Sequence, residues 1–219
     1  MPLYHYCPNK AFLSIVSERK IRLTDLSHSN DLLEGKWVRN IISEICGEND
    51  VSIKNTKKIL ERFDVLARIL TAGAFCLSRK EDLLSQWISY ANKARGVSIG
   101  FNEKYLEKLV NSQPLEHFRL GLENVIYEHK IQKELITPGV KEIIKFVNDG
   151  ALNQGRFGLL TPQEDLVKKY EAANERLIET VIDFLPFLYQ IKNPAFSEEK
   201  EERLVSIIFK NMIFLLMVG

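Results

Sequence analysis

The 219-residue sequence predicts an α+β fold, one mixed or antiparallel sheet with helical insertions packed around it. Three observations carry that expectation. Short alternating or apolar stretches suited to strands recur at intervals, as "PLYHYC", "KIRLTDL", "AFCLS", "GVSIGF" and "NVIYEH". Long stretches with apolar residues at helical spacing fill the gaps, over about 31–72 and about 131–190. No internal repeat, low-complexity tract or Gly/Ser linker interrupts the chain, so residues 1–219 read as a single domain. A composition of 45% hydrophobic and 27% charged residues is that of a globular chain rather than a disordered one, and the length suffices for a sizeable core.

In "PLYHYC" the alternation sets Leu3, His5 and Cys7 on one face of a strand and Tyr4 and Tyr6 on the other. Asn9 is placed to cap the next helix, whose Phe12, Ile15 and Val16 form an apolar stripe. "KIRLTDL" then returns as a strand. Leu33, Trp37, Ile41 and Ile45 give one helical stripe, and Ile59, Phe63, Leu66 and Leu70 another, with the turn "GENDVSIKN" between them. "AFCLS" is an apolar strand, and Asp82 is placed to cap the short helix that leads through Gly96 into "GVSIGF". "TPQE" at 161–164 has the form of a capping box, with Thr161 as cap and Pro162 in the first turn. The long helix it opens carries Leu166, Tyr170, Leu177, Val181 and Leu185 on one side, up to a kink or stop at Pro186.

Composition narrows the function classes. Lys plus Arg numbers 30 against 29 for Asp plus Glu, a net charge of +1, so net charge does not indicate nucleic acid as a partner. The three cysteines form neither a disulfide framework nor a CxxC pair, which suits a reducing, cytoplasmic setting. "MPLYHYCPNK" lacks the basic-then-apolar order of a signal peptide. "IIFKNMIFLLMVG" is broken by Lys210 and Asn211 and is shorter than the roughly 20 residues of a membrane helix, so no membrane is expected. The four histidines are scattered with no pair at metal spacing, so no metal site is expected. There is no Gly-rich phosphate loop and no GxSxG elbow.

The candidate residues fall in four places. In "SQWISYANKARGVSIGF", Gln86 and Tyr90 lie one helical turn apart, beside Trp87, which the spacing places in the core. They read either as packing-side polar groups or as the rim of a pocket. Asn30 and Asp31 form a turn expected beside that pocket. In "FSEEKEERLV", Glu199, Glu201 and Arg203 alternate and would share one face of a strand, as a solvated edge or as a set converging in a cleft. In a cleft, Arg203 would grip a phosphate or carboxylate in two-pronged fashion, and Glu199 or Glu201 would bond a sugar hydroxyl or act as base. His5 reads as a half-buried, satisfied histidine or as a member of the site.

An ordered series of matches, "LYHY", "IRLT" then "SNDLLE", "FCLS" before "LLSQWISYANKARGVSIGF", "VIYEH" and "FSEEKEERLV", resembles a bacterial family called domain of unknown function 2971. Leu32 stands where that family usually has a proline after its Asn-Asp pair, and "KNMIFLLMVG" is unlike the family's continuation, so the chain reads as truncated at its C-terminus. An apolar strand "RLVSIIFK" with an unpartnered edge would then drive self-association through the C-terminal tail.

The segment "LYHYCPNKAFLSIVSERKIRL" is also similar to the entry segment of ADP-ribosyltransferases of the His-Tyr-Glu kind. That resemblance implies NAD as cofactor. His5 would bond a ribose hydroxyl and Glu199 or Glu201 would stabilise the reacting ribose. Tyr90 would substitute for the stacking tyrosine that "KIRLTDL" lacks. Two readings therefore stand: a nucleotide- or NAD-using transferase in a phage-defence or toxin context, and a catalytically silent module that binds a nucleotide or a protein. A lesser one, a metal-dependent nuclease, rests on the triplet Glu198–Lys200 with Asp31.

Overall fold

A computed structural model describes residues 1–26, 36–68, 70–112, 120–152, 164–209 and 214–217. The fold is α+β, and its contacts divide into two compact units, one within 1–35, 70–127 and 189–219 and the other within 36–69 and 128–188.

The first unit holds an antiparallel sheet of seven strands among the described residues. They are β1 (Pro2–Cys7), β2 (Lys20–Asp25), β3 (Leu70–Ser78), β4 (Val97–Asn102), β5 (Gly121–Asn124), β6 (Glu201–Phe209) and β7 (Phe214–Met217). Helices α1 (Asn9–Glu18), α4 (Leu84–Ser89) and α5 (Glu103–Asn111) belong to the same unit. The spine is β3 against β6, paired without a break from Leu70↔Phe209 to Ser78↔Glu201. The other edge of β6 receives β5, from Gly121↔Val205 to Asn124↔Glu202.

The other edge of β3 forks. β1 meets it only at Tyr4↔Ser78, and β2 only at Thr24↔Ala74 and Asp25↔Gly73. β4 flanks β1 and β7 flanks β2. Along β2 the period of two is plain: Ile21 and Leu23 are buried while Arg22 and Thr24 are exposed. The buried set joins Leu3, Phe75, Leu77 and Leu204, and α5 adds Leu106 and Leu109 at helical spacing, to form the apolar core on one face of the sheet.

The second unit comprises α2 (Val38–Glu48), α3 (Ile53–Leu66), α6 (His129–Asn148) and α7 (Glu164–Leu188). The two helical stretches expected from the sequence supply it, except that α3 ends at Leu66 and Leu70, expected on its stripe, begins β3 instead. Its core is Ile41, Ile45, Ile59, Phe63, Ile136, Val140, Ile143, Leu177, Val181 and Leu185. Gly139 lets α7 come close, because a Cβ there would lie 2.7 Å from a ring carbon of Phe184. No helix among the described residues is long and apolar enough to cross a membrane.

Several local expectations are corrected. "NVIYEH" is not a strand: β5 lies upstream and ends at Asn124, Ile126 makes only an isolated bridge to Ile191, and His129 already begins α6. α1 buries none of its residues; Leu13 and Val16 point outward, and Pro8 rather than Asn9 precedes the helix. Asp82 does not cap α4, whose cap is Leu83; its carboxylate accepts from Trp87 Nε1 at 2.8 Å instead. Trp87 is accordingly half-buried, edge-on to Tyr6, rather than a core residue. α7 runs two residues beyond Pro186, to Leu188. β6 has partners on both edges over Glu202–Val205, whereas Ser206–Phe209 are paired only with β3 among the described residues, so the unpartnered edge is confined to that stretch; β7, paired to β2, is an outer strand among the described residues. Leu33, Thr161 and Pro162 lie outside the described residues.

The join from α4 to β4 shows why a glycine sits at 96. Asn92, Lys93 and Ala94 all take left-handed backbone, with φ of 49°, 55° and 63°. The chain doubles back so that Ala94 N–H donates to the Trp87 carbonyl and Gly96 N–H to the Ala91 carbonyl. A Cβ at Gly96 would run into the Cys7 carbonyl oxygen, which is backbone and cannot swing away. Gly96→Ala is therefore expected to lower unfolding free energy by about 1–3 kcal/mol. Gly47→Ala, in open space near the end of α2, should instead raise it by about 0.5–1 kcal/mol. Urea denaturation of the two variants checks both signs.

Candidate functional site

The fork in the sheet places a histidine where a strand pair is missing. Between Ala74 and Ser78, β3 has no ladder partner on that edge among the described residues. His5 of β1 fills the break: its Nδ1 lies 2.8 Å from the Cys76 carbonyl oxygen, and its ring stacks on Phe75 at 4.1 Å. A carbonyl only accepts, so Nδ1 carries the proton. Burial lowers the pKa of this imidazole, in spite of the bond to Cys76. The group is thus neutral, with Nε2 left as an acceptor.

Behind the fork lies a cluster of buried charge. β6 begins with Glu201 and Arg203 on the sheet face opposite Leu204, across from Cys76 of β3. Arg203 is only 1% exposed. It donates from Nε to Glu201 Oε1 at 2.8 Å, from Nη2 to Glu201 Oε2 at 3.0 Å, and from Nη1 to the Tyr189 carbonyl at 2.8 Å. Lys192 Nζ donates to Glu201 Oε2 at 2.9 Å and to Glu199 Oε2 at 2.7 Å, and stands 4.9 Å from the centre of the Phe196 ring. Two cations thus face two carboxylates, and the cluster is neutral as a whole.

Each carboxylate answers to its own surroundings. Burial would raise Glu201, but the charge and hydrogen bonds of Arg203, helped by Lys192, outweigh it and hold the pKa at about 2. Burial raises Glu199 above its usual range, and Lys192 only partly offsets the rise. Burial opposes the charge of Lys192, yet Glu201 and Glu199 together raise it. Burial, then the neighbouring carboxylates, push the Cys76 thiol and the Tyr90 hydroxyl upward, so both stay protonated. Tyr127 is raised by burial and by Glu201, whose backbone N–H donates to its hydroxyl at 3.2 Å.

Two cavities open on this cluster. The larger, of about 820 Å³, is lined by His5, Cys76, Tyr90, Lys192, Glu201 and Arg203 at one end. Its walls are an apolar strip of Ile15, Leu26, Ala74 and Phe75, and its polar sides carry Lys10, Ser14, Glu18, Lys20, Arg22, Thr24 and Asp25. The smaller, of about 50 Å³, shares His5, Cys76, Tyr90 and Glu201 with it and adds Gln86 and Glu199.

The structure brings together six of the eight residues singled out in the sequence: His5, Gln86, Tyr90, Glu199, Glu201 and Arg203 all line one or both cavities. Asn30 and Asp31 lie outside the described residues. The solvated-edge reading of the charged triplet is overturned, since all three side chains are buried. Nor do the three share a strand: Glu199 ends the 3₁₀ turn Pro194–Glu199, and the left-handed Lys200 separates it from β6. Lys192 is what joins it to Glu201. The fork of Arg203 is occupied by Glu201, so it holds an internal carboxylate rather than presenting two open prongs. Glu198 and Lys200 are exposed on either side of buried Glu199, so that triplet does not converge as a nuclease core would. Lys192 and Cys76 were missed. The one available signal for Lys192 was a single charge in "FLYQIKNP", a stretch otherwise without any.

A family model described as "Protein of unknown function (DUF2971)" matches residues 86–204, a span that runs from Gln86 of α4 to the residue after Arg203. No curated protein and no solved structure matches the chain.

The acid limb of stability follows from the two glutamates. Glu201 titrates near 2 in the fold against an ordinary 4.5, so it stabilises the fold above about pH 4.5 and that contribution is lost as the pH falls toward 2. Glu199 is shifted the other way, so its protonation on mild acidification favours the fold. Urea titrations across pH should show stability level or slightly rising down to about 4.5 and falling steeply below it. Glu201→Gln should start about 3–5 kcal/mol lower at neutral pH, with Arg203 left uncompensated, and lack that steep limb.

Proposed function

We propose, for a chain that belongs to the DUF2971 family of proteins of unknown function, that the cavity at the sheet fork binds a nucleotide. One observation carries the reading. A single cavity of about 820 Å³, within the size range of small-molecule sites, joins an apolar wall and a neutral imidazole to a charged side on which Lys10, Lys20 and Arg22 outnumber Glu18 and Asp25. A base would lie against Ile15, Leu26 and Ala74. Lys10, Lys20 and Arg22 suit phosphate oxygens. His5 Nε2, Thr24 and Asp25 suit ribose hydroxyls, each as an acceptor.

A second reading, ADP-ribosyl transfer from NAD in a defence or toxin setting, is favoured by one further observation: His5 of β1 and Glu201 of β6 line the same cavity, with Tyr90 beside them. In that reaction the bond from ribose C1′ to the nicotinamide nitrogen breaks. Its electron pair leaves with nicotinamide, which departs neutral, while the acceptor bonds to C1′ and gives up a proton. Glu201 would not take that proton, because Arg203 and Lys192 hold it ionised with a pKa of about 2. Its part would be electrostatic, a fixed negative charge beside the positive charge that develops on the ribose. The silent binding module needs the same cavity and no chemistry.

Calorimetric titration with NAD, ADP-ribose and AMP tests the first reading. The expected result is saturable binding that Arg22→Glu weakens by about tenfold or more. No binding of any of the three would overturn it. Labelled NAD and lysate test the second: transfer that His5→Ala and Glu201→Gln both abolish, with folding verified by circular dichroism, supports it. Binding without transfer leaves the silent module.

A further inference from the structure

The helical unit has a cavity of its own between α6 and α7, and its chemistry is independent of any nucleotide at the fork. Its volume is about 580 Å³. Two close approaches fix how the helices run. A Cβ at Gly139 would lie 2.7 Å from a ring carbon of Phe184, and one at Gly150 would run into the ring of Tyr170. The two helices are therefore antiparallel, with those residues level in pairs. Counting along both helices from these points orders the charges that line the cavity. Asp183 is level with Gly139, Glu142 with Glu179, and Lys145 with Arg176. Carboxylates thus occupy one end and the middle, and both cations occupy the other end. Asp183 and Arg176 stand about 10 Å apart along the axis of α7, and the middle carboxylates about 4–5 Å from the cations. Phe146, Phe184 and Phe187 supply an aromatic floor.

None of these five charged side chains forms an ion pair with another described residue. Glu179 and Asp183 also stand four residues apart on one helix, the spacing at which like charges repel. A cation between the carboxylates would relieve both conditions. Among the described residues no group of three or more acidic, histidine or cysteine side chains could hold a metal ion, so the cation that suits them is a larger one, an ammonium. Phe187, one turn beyond Asp183, offers that ammonium a ring face. At the other end Lys145 and Arg176 call for an anion, and the guanidinium can take a carboxylate in two-pronged fashion. A diamine would set its second ammonium against Lys145 and Arg176, and a dicarboxylate would set one end against Asp183. We propose that the cavity between α6 and α7 binds a linear zwitterion of the ω-amino acid class. Its ammonium lies among Asp183, Glu142 and Glu179, its carboxylate on Lys145 and Arg176, and its methylene chain along Phe146 and Phe184.

6-Aminohexanoate is the probe, titrated into the full chain and followed by the NMR shifts of backbone amides. Saturable binding is expected with a Kd of about 1 mM or tighter, the shifts centred on α6 and α7. Hexylamine and hexanoate each keep one of the two charges and should bind about tenfold more weakly. Asp183→Asn should bring 6-aminohexanoate down to the level of hexanoate, and Arg176→Gln down to that of hexylamine. Both side chains are exposed, so neither change disturbs the core. Nα-acetyl-lysine carries the same pair of charges on a peptide end and separates the two sources of such a group. Binding as tight as that of 6-aminohexanoate assigns the cavity to C-terminal lysines, and weaker binding assigns it to free ω-amino acids. No saturable binding of 6-aminohexanoate, equal affinity for the singly charged probes, or an affinity that neither substitution changes would each overturn the proposal. Both substitutions lie outside the fork and should leave nucleotide titrations unchanged, so either reading can fail alone.

Discussion

The pairing of Arg203 with Glu201 is the interaction on which the sheet unit depends. A guanidinium inside a β-sheet is tolerable only if its charge is met and its N–H groups are bonded, since desolvating a lone ion in such a place costs several kcal/mol. Glu201 meets both needs two residues away on the same strand, and the Tyr189 carbonyl takes a third bond. The second cation, Lys192, ties Glu199 to Glu201 and makes the cluster neutral. Replacing the whole set by apolar residues could leave the fold as stable or more so, whereas removing one member would not.

Holding that cluster constrains the chain far from β6. The segment Gln190–Lys192 is fixed beside Val125–Tyr127 by the Ile126 N–H donating to the Gln190 carbonyl and the Lys192 N–H donating to the Ile126 carbonyl. That is what sets Lys192 opposite the strand carrying Glu201. On the other side, β3 must pair with β6 along its whole length to bring Cys76 across from Arg203. With one edge of β3 so committed, the other is left to two strands that reach it at separate points, and the gap between them becomes the cavity. His5 completes the backbone pairing at that gap through Nδ1, and burial there, in spite of that bond, keeps its imidazole neutral.

The match to the family model begins at Gln86 and ends just past Arg203, so the ionic cluster and the small cavity's far wall fall inside it, while His5 does not. The fork site thus combines a strand outside the matched span with the glutamates, lysine and arginine inside it.

Periodicity alone was enough to determine the α+β class, the strands β1 to β4 and the helices of the second unit, because each follows from local spacing of apolar side chains. It also placed His5, Gln86, Tyr90, Glu199, Glu201 and Arg203 on a short list, since their types and positions are unusual for the elements that hold them. Tertiary structure alone decided the rest. An alternating Glu-x-Glu-x-Arg reads equally well as a solvated edge or a buried set, and only the tertiary structure, which bonds Arg203 to the Tyr189 carbonyl and both glutamates to Lys192, makes it a buried one. The partnership of Lys192 with Glu199 and Glu201 bridges a 3₁₀ turn and a left-handed residue that no period reveals. "NVIYEH" has the composition of a strand, yet among the described residues only Asn124 joins a ladder and Ile126 makes an isolated bridge to Ile191, and a strand exists only where a partner accepts its hydrogen bonds.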